Sequence, residues 1–231
     1  MSEDQPVNIL YFLNRRTDFI RQFYAITSAP YVERKRKIEA EEEPFVPPYS
    51  EDGEPPFLEE WIEADESLHL LAYSCISMLA AALHLYLKTW VKQSGIAVAE
   101  SLKKSEFKNH GWFAGYKTHF AEYFGVVFDA SPANLKLLEE VVLARNRIEH
   151  PSSITSHRIE YSDSDLRKVR HPFFVDERES ALLADADEES KSWIMPPTLH
   201  ATEAQLVAAV SEVECFAEWF ETAIKVKVYA Q

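Results

Sequence analysis

The residues with the most evident chemistry lie in one short run, Arg145-Asn146-Arg147-Ile148-Glu149-His150, followed at once by Pro151. An arginine fork clamps phosphate through paired charge-assisted hydrogen bonds. An imidazole, with an ordinary pKa of ~6.5, gives and takes a proton near neutrality. Acting jointly, Arg145 would hold a phosphate while His150 traded protons with it.

The spacing says where these groups must stand. Leu138, Val141, Val142 and Ile148 share one helix face, and Arg145 lies three or four residues from three of them, so a core-facing slot is expected for it. A guanidinium keeps its charge, and burying it unpaired costs several kcal/mol or more, on the order of the values for ion burial. It therefore needs an anion or a carboxylate. Glu149 is four residues on and Glu139 and Glu140 are close, so a structural ion pair is one reading and a bound phosphate the other. His150 precedes a proline, which disfavours α geometry and sets it at the helix terminus. There the helix dipole favours a cation by ~0.3–1 kcal/mol. Five residues of separation leave Arg145 and His150 roughly 140° apart about an ideal helix. Two copies facing across a symmetric interface would assemble such a site better than one chain.

The elements that position the run are helices. From Val7 to about Thr27 apolar residues recur at helical spacing until Pro30, and the charged run from Glu33 to Glu43 reads as a solvated extension. Residues 30–57, rich in charge and then in proline, form a linker by composition. Trp61, Leu68, Ala72, Cys75, Leu79, Ala82, Tyr86 and Trp90 mark one long central helix from about Leu58 to Gln93, closed by Gly95. A shorter helix to about Asn109 follows. The stripe of Trp112, Phe113, Tyr116, Phe120, Tyr123 and Phe124 then reads as a core-facing aromatic helix rather than a base-stacking platform. Ser131-Pro132 predicts the N-terminus of the helix that carries the motif, and the capping box Thr202-Glu203-Ala204-Gln205 opens the last one.

Residues 151–201 are too many for an ordinary connection and predict an insertion or lid. Short alternating pieces at 157–161, 173–175 and 193–195 predict a minor β element there. The fold expected is thus all-α, an up-and-down bundle of four to five main helices in a single domain over 1–231, with this insertion before the last helix.

Composition narrows the partners. With 46% hydrophobic and 13% aromatic residues and only five glycines, the chain has ample material for one core. A net charge of −14 disfavours wide electrostatic wrapping of nucleic acid, so any RNA contact must be local. Cys75 and Cys215 lack a CxxC or zinc spacing and read as packed, reduced thiols. The start Met1-Ser2-Glu3-Asp4 lacks the basic, apolar pattern of a signal peptide, so a cytoplasmic location is expected. The charge-free stretch from Leu70 to Leu87 reads as a buried helix rather than a membrane span. The histidines outside the motif lack metal-ligand spacing, and no Gly-rich phosphate loop, HExxH or GxSxG pattern occurs, so neither metal nor cofactor is expected. His84 reads as a satisfied histidine on the buried helix.

Arg145 to His150 resembles the R-x4-6-H motif of the HEPN (higher eukaryotes and prokaryotes nucleotide-binding) superfamily, in which a polar residue commonly follows the arginine, as Asn146 does. Its place late in a helical bundle, with one more long helix after it, matches as well. The resemblance implies a homodimer whose two motifs share a cleft and, in active members, cleave RNA without metal. Arg145 would then bind and polarise the phosphate, and His150 would act as general acid/base in attack by the ribose 2′-OH. Asn146 would orient the group or stabilise charge. The products implied are a 2′,3′-cyclic phosphate and a 5′-OH end. Arg147, Arg158 and Lys168, with Arg167 and Arg170, would bind substrate as a local positive funnel. Toxins and phage-defence effectors fit this description, with an antitoxin or other regulatory protein as partner. The family also holds inert members, so a non-catalytic module binding RNA, a nucleotide or a protein is the alternative.

Overall fold

The computed structural model describes residues 8–47, 55–151, 154, 157–169, 171–185 and 196–229. Five long helices organise them: α1 (Ile9–Glu39), α2 (Leu58–Ser94), α3 (Trp112–Phe124), α4 (Leu135–Glu149) and α5 (Glu203–Val228). The fold is all-α, an up-and-down helical bundle, as the hydrophobic periodicity predicts.

α2 is the central helix and packs against each of the other four. Ala72, Cys75, Ile76, Leu79 and Leu83 are fully buried along it, and each large aliphatic chain so buried contributes roughly 1.5–3 kcal/mol. By length and composition α2 could cross a membrane, yet 61% of its apolar stretch is buried inside the fold. Cys75 is a free thiol deep in this packing, where burial pushes its pKa up to about 11. Cys215 is also free and only half-buried.

α1 runs on as far as Glu39, with Pro30 inside it, so the sequence boundary that placed residues 30–39 in a linker is corrected. Proline costs the helix one hydrogen bond, and packing on the start of α2 supplies what keeps the helix going. Lys35 pairs with Asp65 at 2.6 Å and lies over the Trp61 ring, Arg34 pairs with Glu63 at 3.0 Å, and the Trp61 indole donates to Glu39. In the N-terminal half of α1, Arg21 grips the Glu214 carboxylate of α5 with both amino groups, at 2.5 and 2.6 Å.

The start of α4 is also corrected. Asn134 is the N-cap, its side-chain oxygen accepting from the Leu137 N–H, while Ser131 and Pro132 lie in the turn after a short 3₁₀ segment, Phe128–Ala130. The capping box at Thr202 and Gln205 stands as predicted, and the Gln205 amide reaches on to the carbonyls of Phe173 and Val175. α3 sends Phe113 and Phe120 into an aromatic core with Phe128, Phe216 and Phe220, in line with the core reading of its stripe. Before it, residues 100–110 wind as α, then π over Lys103–Phe107, then α again. The π turn lays the Phe107 ring over Gly115, where a Cβ would come within 2.1 Å of it.

One α3 side chain conflicts with its surroundings. His119 is fully buried among the rings of Phe120, Tyr123 and Phe124, with neither ring nitrogen hydrogen-bonded, and burial lowers its pKa. An unsatisfied buried polar group costs about 1–3 kcal/mol. His119→Leu should therefore raise the melting temperature by several degrees, and an unchanged or lower melting curve would contradict that account.

Among the described residues, the insertion after α4 carries two short helices, Asp163–Lys168 and Glu177–Asp185. Its expected β element is reduced, among the described residues, to one antiparallel bridge between Glu160 and Thr198. The hydrogen bonds Tyr161 N–H to Pro197 O and Leu199 N–H to Ile159 O flank it. The segment 193–195 lies outside the described residues, as does Arg170. Tyr161 and Phe174 fill the seam beneath, and Glu140 of α4 accepts the Phe173 N–H at 2.6 Å.

Candidate functional site

α4 buries Leu137, Leu138, Glu140, Val141, Val142 and Ala144. Arg145 comes at the edge of that stripe and not within it, so the expected core-facing slot becomes a rim position with 34% of the side chain exposed. One amino group pairs with Glu149 at 2.5 Å and the other donates to the Asn146 side-chain oxygen at 3.1 Å. The motif thus orients its own arginine. His150 caps α4 with φ −129° and ψ 64°, outside helical geometry as a residue before proline should be, and its side chain is exposed.

Two concavities flank this end of α4. The larger, about 860 Å³, lies between α2 and the insertion and is lined by Leu70, Ser74, Ser77, Ile148, Glu149 and His157 among others. The smaller, about 240 Å³, lies between α2 and α4 and takes Arg145 as one wall, with Ala80, Ala81, His84, Leu85, Lys88 and Trp112 as the rest. Ala80 and Ala81 are what leave room for it. His84 stacks on Trp112, ring centroids 4.6 Å apart and planes 16° from parallel, and its pKa is lowered by burial first, then by Lys88 and Arg145. The sequence reading of His84 as a core histidine missed this pocket. Its local signal was Lys88, one turn further along, the first charge after the uncharged stretch from Leu70 to Leu87.

The predicted substrate-binding cations divide. Arg147 turns away from Arg145 toward the insertion, where its guanidinium pairs with Asp165 at 2.5 Å and donates to the Ser162 hydroxyl at 2.7 Å. Arg158 stands near His69 and Tyr73 of α2; burial first, then His200 and Arg158, lower the His69 pKa, while burial raises that of Tyr73 to about 12 against the opposing charge of Arg158. Arg167 and Lys168 are exposed on the last turn of the Asp163–Lys168 helix.

The Arg147 pairing fastens the insertion to α4. Burial raises the Asp165 pKa, but hydrogen bonds from Arg147 and Ser162 outweigh it and hold the carboxyl below its ordinary value. Removing one partner of a buried pair leaves the other charge uncompensated, at 3–5 kcal/mol when both are buried. Arg147 is one-third exposed, so Arg147→Ala should cost about 2 kcal/mol. Urea denaturation would measure it, and a loss below about 0.5 kcal/mol would mean the contact holds nothing.

Among the described residues no cluster of three or more His, Cys, Asp or Glu side chains is placed to hold a metal ion. Compared with family models, curated proteins and solved structures, the chain matches none of them.

Proposed function

We propose that this protein is a HEPN-type, metal-independent endoribonuclease, acting in the cytoplasm as a homodimer in the manner of a toxin or phage-defence effector. The observation that carries this reading is the open setting of the motif. Arg145, Asn146 and His150 share the accessible end of α4, and the carboxylate on Arg145 belongs to Glu149, itself 39% exposed. Exposed ion pairs are worth about 0–1 kcal/mol, so a phosphate can displace Glu149 at little cost. A buried structural pair would not exchange this way.

In the reaction, the 2′-oxygen of a ribose attacks the adjacent phosphorus, its proton passing to an imidazole acting as base. The bond from phosphorus to the 5′-oxygen breaks, and that oxygen takes a proton from an imidazolium acting as acid. Arg145 stabilises the charge gathering on the non-bridging oxygens, and Asn146 holds the guanidinium in place. One His150 per chain supplies one proton carrier, and a second copy supplies the other. The outer face of α2, with Leu70 and Ser74 exposed, gives a second copy a surface beside the motif. In this scheme Arg158 and Lys168 contact RNA outside the cleaved bond, and an antitoxin or other regulatory protein would restrain the enzyme.

The test is incubation of the purified protein with RNA in a chelator, followed by analysis of the new ends. Fragments with 2′,3′-cyclic phosphate and 5′-OH termini are expected. RNA left intact, or cut only when divalent metal is restored, overturns the reading. One observation favours a non-catalytic HEPN-like module instead, namely that Glu149 already neutralises Arg145. That reading expects RNA to be bound and recovered whole.

A further inference from the structure

The smaller concavity has a chemical character of its own. In a chain of net charge −14, its lining includes two permanent cations and an imidazole and no acidic residue. His84 and Lys88 are one turn apart on α2, while Arg145 reaches in from α4. Glu149, the partner of Arg145, lines the other groove. Glu149 answers Arg145 from outside the pocket; inside it the cationic groups face one another with no anion in the lining, and a bound anion is what would answer them there.

We propose that this pocket between α2 and α4 is a phosphate-binding site, in which Lys88, His84 and Arg145 hold the phosphoryl group of a ribonucleotide. Each member has a distinct part. Arg145 supplies the planar fork and Lys88 a mobile point charge at the mouth. The Trp112 ring, stacked on His84, fixes the plane of the imidazole so that its edge stays available to an oxygen. The volume of about 240 Å³ is below the ~300–1,000 Å³ of sites that enclose whole small molecules, so a phosphate with its sugar enters and any base remains outside. Leu85 and the two alanines give the sugar an apolar wall.

The charges around His84 settle how it responds. On its own helix it faces Lys88, across from it Arg145, and on α3 the Trp112 and Tyr116 rings. Burial and the two cations hold the empty-site imidazole below its ordinary pKa. A phosphate between them reverses the cationic contribution, so His84 takes up a proton on binding. The source of the phosphate, RNA backbone or free nucleotide, rests on the endoribonuclease reading; the site itself does not.

The experiment is an NMR titration of the His84 ring signals in the full chain against pH, alone and with inorganic phosphate, a nucleoside monophosphate or a short oligoribonucleotide. Saturable binding is expected, with the His84 pKa rising by about one unit and at least a tenfold loss of affinity in Lys88→Met and in Arg145→Ala. Lys88 is exposed, so Lys88→Met should fold normally. A His84 pKa that ignores all three probes, or binding equal in Lys88→Met, overturns the proposal. Tighter binding of the oligoribonucleotide than of the monophosphate assigns the site to RNA, and the reverse order to a nucleotide; both support it. RNA cleavage without a His84 response removes the pocket and leaves the endoribonuclease standing, whereas phosphate binding without cleavage does the opposite.

Discussion

His150→Ala is expected to slow RNA cleavage by about 10²–10⁴-fold, the usual share of a positioned acid or base, while leaving the melting temperature where it was. The first half follows from the proton traffic assigned to the imidazole. The second follows from its place: His150 is exposed at a helix end, where substitutions usually stay within about 0.5 kcal/mol. Arg145→Ala makes the sharper comparison. It should cut activity as deeply, and because its pair with Glu149 is one-third exposed on both sides, it should hardly move the melting curve. A clear fall in melting temperature with Arg145→Ala would return the motif to a structural ion pair. Cleavage undiminished in His150→Ala would remove the imidazole from the mechanism.

The second large effect concerns Glu140. This carboxyl is buried on α4, and burial drives its pKa up to about 7 against the opposing hydrogen bond from the Phe173 N–H. The folded protein therefore binds this proton more tightly than the unfolded chain does. Its contribution is fully present below about pH 4.5 and is lost as pH rises through about 7. At 1.36 kcal/mol per pK unit the loss amounts to about 3 kcal/mol. Glu140→Gln keeps an oxygen for the Phe173 N–H but cannot ionise. The variant should match wild type near pH 4.5 and exceed it increasingly up to pH 8 in parallel melting series. Parallel curves with a constant offset would mean that Glu140 titrates as an ordinary surface acid.

The scaffold was legible wherever local pattern and tertiary packing agreed. α2 announced itself by steps of three, four and seven, and α5 by its capping box, because one apolar stripe and one cap suffice to define such helices. Pro30 and Ser131-Pro132 misled for a shared reason. Each is a local signal, and what decided the boundary was elsewhere: contacts of Lys35 and Arg34 with α2 in one case, and a better-placed Asn134 in the other.

At the site, the motif was readable because its members are neighbours in sequence. The slot of Arg145 was misjudged because a residue three or four positions from apolar ones can still fall at the margin of the stripe, and only the packing of α2 says which side is covered. The His84 pocket joins α2 to α4 across some sixty residues. Proximity of that kind leaves no trace in spacing.

The seam where the insertion rejoins the bundle also bears on how such a chain can change. The His200 N–H donates to the Phe174 carbonyl at 2.9 Å, so the excursion departing after Phe174 returns to within one hydrogen bond of where it left. Its two ends are pinned side by side on the bundle, the Val175 carbonyl accepting from Gln205 of α5 and the Leu199 carbonyl from the Tyr73 hydroxyl of α2, which closes the excursion into a ring. Lengthening such a ring costs only about 0.6 kcal/mol per doubling, leaving α4 and α5 in register. Evolution could thus rewrite that ring, and whatever it recognises, while the motif beside it stays untouched.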